Sequence, residues 1–149
     1  MRVLIFSLLL SVSWVVQAQQ NTYNKAKADS LGADEYGMKM YTMVILKTGA
    51  KVINDSKVKD SLFRGHMENI NRLASEGKLI VAGPFEKNGL NYRGVFIFNV
   101  SSMDEAQTLV KTDPTVIAGI FDYEILEWYG PAALSEYLRV QNTIEQKLH

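Results

Sequence analysis

The folds open to this chain are limited most by the order in which its apolar residues change period. Met40 to Leu46 is a short, partly β-branched apolar run, the mark of a strand. From Asp55 the spacing becomes helical. Val58, Leu62, Phe63, His66, Ile70, Leu73 and Ala74 recur at steps of three and four, and Lys57, Lys59, Arg64, Glu68, Asn71 and Arg72 fall mostly between them. Gly77 ends this helix, because glycine takes the left-handed position after a helix without a steric penalty. Leu79 to Ala82 is a second strand, broken by Gly83-Pro84, and Tyr92 to Val100 is a third. Asn88-Gly89 between them is a hairpin-type turn signal, which makes the two strands antiparallel neighbours. Ser102-Met103-Asp104-Glu105 has the form of a capping box: the serine oxygen accepts from the Glu105 amide, and the glutamate side chain reaches back to the serine amide. The helix it opens carries Ala106, Leu109 and Val110 and ends at Asp113-Pro114, since a residue before proline is pushed out of helical geometry. Ile120 to Tyr129 is a fourth strand. Residues 131–149 form a final amphipathic helix, with Leu134, Tyr137, Leu138, Ile144 and Leu148 on one face.

The order β-α-β-β-α-β predicts an α+β fold, a ferredoxin-like sandwich of one antiparallel sheet with two helices on one side, plus the C-terminal helix. Tyr92, Phe96 and Phe98 share one face of the third strand, and Val95 and Ile97 share the other. Both faces are apolar, so both call for burial. The face away from the helices then needs a partner sheet, because a large exposed apolar patch is unusual in a soluble monomer. The expectation is a homodimer with sheets packed face to face; the tail helix is the alternative cover.

Composition removes several classes of function. The chain of 149 residues carries 16 basic and 16 acidic side chains, without the basic excess expected of a nucleic-acid binder. It has no cysteine, which excludes a disulfide frame, a thiol nucleophile, a zinc ribbon and an iron–sulfur cluster. Of two histidines, one is the last residue. An all-protein transition-metal site is therefore not expected, and no cofactor is implied. There is no phosphate-cradling glycine loop, no Gly-x-Ser-x-Gly and no EF-hand spacing. Residues 1–18 read as a signal peptide: Arg2, an apolar run from Val3 to Val16 too short to span a bilayer comfortably, then Val16-Gln17-Ala18 as a cleavage site. That predicts export, to the periplasm or beyond, with no membrane attachment after cleavage; the alternative is a retained membrane anchor. Residues 19–38 are a polar linker with one helical turn ending at Gly32.

The only acid–base constellation centres on His66, on the apolar face of the first long helix. A buried imidazole needs hydrogen-bond partners, and Asp113, at the end of the second helix on the same side of the sheet, is the natural one. A carboxylate on one ring nitrogen fixes the tautomer, and the other nitrogen is then free to act as a general base. The alternative is a structural histidine tied to a carboxylate at a helix terminus. Gly83 and Pro84 are candidates for a pocket wall, against the simpler role of a strand-ending turn. Arg93 and Arg64 are candidates to hold a substrate carboxylate, against plain solvation. Tyr41 and Tyr92 are candidate hydroxyl donors to a ligand, against packing in the core or at a dimer interface. Trp128-Tyr129 anchors the end of the fourth strand against the tail.

The combination Gly65-His66, Leu73-Ala74-Ser75-Glu76-Gly77-Lys78-Leu79, Ala82-Gly83-Pro84, Arg93-Gly94-Val95, Ser102-Met103-Asp104-Glu105-Ala106, Asp113-Pro114 and Ala118-Gly119 resembles the YCII-related family over residues 39–130. The resemblance implies a ferredoxin-like fold that dimerises as a dimeric α/β barrel. It also implies a shared histidine and aspartate proposed as an acid–base pair, matched here by His66 and Asp113. Two positions depart from the pattern: Thr115 stands where members often carry an aromatic residue, and Gly49-Ala50 where they often carry glycine-proline. A few relatives resemble enzymes that eliminate halide from, or isomerise, small ring compounds. The functional expectation is therefore an exported small-molecule enzyme that uses a His-Asp dyad for elimination, isomerisation or hydrolysis of a small cyclic or acidic compound. The alternative is a non-catalytic dimeric module that binds a small molecule or a partner.

Overall fold

The computed structural model describes residues 22–146. The signal-peptide reading of residues 1–18, the first three residues of the linker and the end of the C-terminal helix with Leu148 lie outside them. The elements are α1 (Lys25–Leu31), β1 (Met38–Thr48), α2 (Ser56–Ser75), β2 (Leu79–Pro84), β3 (Tyr92–Phe98), α3 (Met103–Val110), α4 (Pro114–Ile117), β4 (Phe121–Pro131), a 3-10 turn (Ala132–Glu136) and α5 (Tyr137–Ile144). The four strands form one antiparallel sheet in the order β2-β3-β1-β4, the ferredoxin-like arrangement.

The side of the sheet under the helices holds the main core. Val44, Leu46, Phe96 and Phe98 pack against Leu73 of α2 and Ala106 and Val110 of α3. Thr42 sits on the same face, and its hydroxyl donates to the Val100 carbonyl at 2.9 Å. α2 is fixed at both ends. The Asp55 carboxylate accepts from the amides of Lys57 and Val58, and Gly77 takes a left-handed conformation just beyond the last turn.

Several local expectations change. Strand β2 runs through Gly83 and Pro84 rather than stopping before them. It is an edge strand, where proline's missing amide costs no ladder bond. The β2–β3 connection is not organised by a tight Asn-Gly turn. Asn88 orders it with its side chain, accepting from the amides of Leu90 and Tyr92 and donating to the carbonyls of Glu86 and Tyr92. A register shift pairs Leu46 with Gly94 but Lys47 with Tyr92. Directly opposed residues project to one face, so Tyr92 leaves the face of Phe96 and Phe98. Ser102 caps α3 as expected, but Glu105 does not close the capping box; it pairs with Lys78 at 2.7 Å.

The tail is not one helix. β4 extends to Pro131, the chain tightens into the 3-10 turn, and only then does α5 begin. This tail covers part of the second sheet face. Leu134 packs on the cluster of Tyr41, Ile80 and Ile97. The Tyr41 hydroxyl donates to the Pro131 carbonyl at 2.8 Å, and that of Tyr137 donates to the Ile80 carbonyl. Beyond the tail the face stays open: Leu126, opposite Met43 in the ladder, is 50% exposed. At the same end, the segment before β1 is attached to the tail. Lys27 pairs with Glu136 at 2.6 Å, and the Tyr129 hydroxyl donates to Asp34.

Candidate functional site

His66 and Asp113 meet. Nδ1 of His66 lies 2.6 Å from Oδ2 of Asp113. Asp113 does not end the second helix, as the spacing suggested; it opens the next one. Proline is well suited to the first position of a helix, and the residue before it is held extended. Pro114 therefore starts α4, and Asp113 becomes its N-cap, accepting from the Thr115 amide at 2.9 Å. The Thr115 hydroxyl donates to the same carboxylate oxygen, Oδ1, at 2.6 Å. One oxygen of Asp113 is thus held by Thr115, and the other is left to the imidazole.

Gly65 lets α4 come this close. A Cβ at Gly65 would stand 3.0 Å from Cγ of Pro114, tighter than ordinary packing. The glycine that precedes the histidine is therefore the surface on which the proline following the aspartate rests.

Asp113 and Thr115 are fully buried. Burial pushes the Asp113 carboxyl up, but the hydrogen bonds from His66 and Thr115, with the charge on the imidazole, outweigh it and hold the carboxyl below its ordinary range. An ionised carboxylate only accepts, so the bond to Oδ2 requires the proton on Nδ1. In the neutral ring, the lone pair then sits on Nε2. Nε2 makes no hydrogen bond to another described residue, and among those residues no buried side-chain nitrogen or oxygen lacks a partner. Nε2 therefore reaches accessible surface, consistent with the 12% exposure of the side chain.

Three phenyl rings surround the imidazole. Phe96 stacks on it at 6.0 Å between centroids, while Phe63 and Phe121 approach it edge-on at 6.2 and 5.7 Å. Phe63 and Phe121 also form the wall of a hollow of about 240 Å³ between the start of α2, the β1–α2 loop and the ends of β3 and β4. His66 itself does not line this hollow; the two rings are shared between them. Loop and strand close together here because Gly49 has no side chain. A Cβ at Gly49 would fall 2.2 Å from the Gly119 carbonyl oxygen. The Gly49 amide instead donates to the Ile120 carbonyl at 2.7 Å.

The other candidates divide. Arg93 lines the hollow. Gly83 and Pro84 do not; they lie in β2 opposite Val95 and Gly94, and the following Phe85 amide bonds the Arg93 carbonyl at 2.9 Å. Tyr41 is fully buried on the other sheet face, with its hydroxyl committed to the tail. Arg64 is exposed and faces Ser61. Thr115, Gly65, Phe63 and Phe121 also build the site, and sequence pattern alone does not mark them as site residues. Asp113-Pro114-Thr115 could have been recognised as a cap followed by a first-turn proline, whereas ring placement depends on tertiary packing. Among the described residues, no three His, Cys, Asp or Glu side chains gather as a metal cage.

The YCII-related domain family model matches residues 40–129. The uncharacterised protein YjpA of Bacillus subtilis is 31% identical over 90 residues, which are 60% of this chain and 95% of that protein. Among solved structures, the chain is similar to 5-chloro-2-hydroxyhydroquinone dehydrochlorinase from Burkholderia phenoliruptrix, in complex with 2,5-dihydroxybenzoquinone. Identity is 21% and the TM-score 0.44, over 58% of this chain and 92% of that one. It is also similar to a dimeric protein of unknown function and ferredoxin-like fold from Bacteroides fragilis, at 13% identity and a TM-score of 0.42, over 62% of this chain and 95% of that one.

Proposed function

The chain belongs to the YCII-related domain family, and from that membership we propose that it is a small-molecule enzyme in which His66 is the general base and acid and Asp113 its orienter. The observation that supports this most is the division of labour on the imidazole: Nδ1 is fixed by a buried, twice-anchored carboxylate, and Nε2 is uncommitted and accessible. Nε2 would take a proton from a carbon next to a carbonyl or from water, and Asp113 would stabilise the imidazolium that forms. In an elimination, the electron pair left on carbon forms the double bond and the leaving group departs with its own pair. In an isomerisation, Nε2 returns the proton to a second carbon. In a hydrolysis, the activated water attacks the carbonyl and the leaving group takes the proton back. One observation favours the second reading, a binding module with a structural histidine: the three phenyl rings packed around the imidazole.

Proton abstraction from carbon is tested directly by following deuterium uptake from D2O into small lactones, hydroxyarenes and keto acids by NMR. The expected result is uptake into at least one compound with the wild-type protein, reduced at least a hundredfold in His66→Ala, the scale of a lost general base. An undiminished rate in a folded His66→Ala protein would show that His66 is not the base.

The same proposal includes export and a homodimer. Export rests on the charged start, apolar run and small-residue site of residues 1–18. The homodimer rests on the apolar sheet surface around Leu126 that the tail leaves uncovered.

A further inference from the structure

We infer that the hollow beside His66 is a binding site for a small organic anion, seated by Lys51, Lys59 and Arg93. This inference depends on the proposed enzyme only for what happens to the ligand, not for its binding. The three cations come from three separate elements, the β1–α2 loop, α2 and β3, and converge on one cavity. None of them forms an ion pair with a described carboxylate, a state they share with Lys39, Lys57, Arg64, Lys87 and Lys111; what sets them apart is that all three border the same cavity. No acidic side chain lines the hollow. Asp122, next to Phe121 in sequence, projects to the other face of the sheet, opposite Lys47. In a chain with equal numbers of acids and bases, this local excess is a real field, and apolar walls concentrate it.

The rest of the lining sets the shape of the ligand. Phe63, Phe121 and Ile120 give an apolar floor, and Arg93 offers the planar fork that matches a carboxylate. At about 240 Å³ the space is smaller than the ~300–1,000 Å³ of drug-sized sites, so it suits one ring with its substituents. A single-ring carboxylate or phenolate seated here would lie against the same two phenyl rings that contact the imidazole.

The test uses benzoate and its uncharged counterpart benzamide, titrated into the full-length protein by calorimetry. Benzoate should bind at least tenfold more tightly than benzamide, the scale of a few exposed charge contacts, and its affinity should fall as sodium chloride is raised. Lys51→Gln, Lys59→Gln and Arg93→Gln should each weaken benzoate two- to fivefold, and the triple variant should bind it no better than benzamide. These side chains are exposed, so melting temperatures should be unchanged. His66→Ala should retain benzoate affinity within about twofold; binding kept while proton exchange is lost, or kept when no exchange is found at all, separates this site from the catalytic reading. Equal affinity for the two probes, no binding of either, or full benzoate affinity in the triple variant would overturn the inference.

Discussion

At the scale of single residues, the site depends on a carboxylate that is buried yet ionised. Asp113 can hold its charge because Thr115 gives it two donors and His66 a third. That arrangement has a signed consequence for pH. The folded carboxyl titrates below its unfolded value of ~3.9, so its contribution to stability is complete above that value and is lost as pH falls through the lower folded one. Between about pH 4 and pH 2, wild-type stability should therefore fall more steeply than that of Asp113→Asn, measured by urea unfolding at each pH. Parallel curves for the two proteins would show that the carboxylate is not tied as described. The dyad was legible in the sequence because a histidine at a helical apolar position needs a partner, and a carboxylate at a terminus on the same layer supplies one. The hydroxyl of Thr115 was not legible: a threonine two residues after an aspartate has many other uses, and only the cap geometry of α4 commits it here.

At the scale of elements, the site is a contact between α2 and the four-residue α4. Sequence patterns located α2 to within a residue or two, because caps and periodicity agree there. They missed α4, since four residues are too few to show a period, and proline reads first as a helix breaker. Strict alternation puts Tyr92 on the wrong face for a related reason: it cannot foresee a one-residue register shift. The contact itself has little slack. Gly65→Val would drive a branched side chain into Pro114, so α4 would have to retreat and take Asp113 with it. The expected cost is about 1–3 kcal/mol, as for overpacking elsewhere, with slower proton exchange in the protein that remains folded. Denaturant melts and the exchange assay read these two effects separately. A variant as stable and as active as wild type would mean that the close approach has no role.

For the whole molecule, the order of elements was enough to specify the sheet and its helical layer, because few topologies satisfy β-α-β-β-α-β with short connections. The tail was harder. Its apolar residues suggested one helix, but the extended end of β4 and the 3-10 turn place Leu134 over Tyr41 and Ile80 instead. The second sheet face is therefore partly covered within one chain, which leaves a smaller patch for a second copy than a bare sheet would. Native mass spectrometry of protein recovered from outside the cytoplasm checks both remaining proposals: chains beginning at Gln19, associated in pairs. Unprocessed chains would remove export, and single chains at micromolar concentration would remove the homodimer. The clasp between the segment before β1 and the tail carries a practical consequence. Lys27 and Glu136 lie at one pole of the sheet, whereas Thr48 and Phe121 border the hollow at the other. An eleven-residue strand separates them, about 35 Å. A tether attached at Lys27 or Glu136 would thus grip that pole and leave the opposite mouth pointing away from whatever holds it.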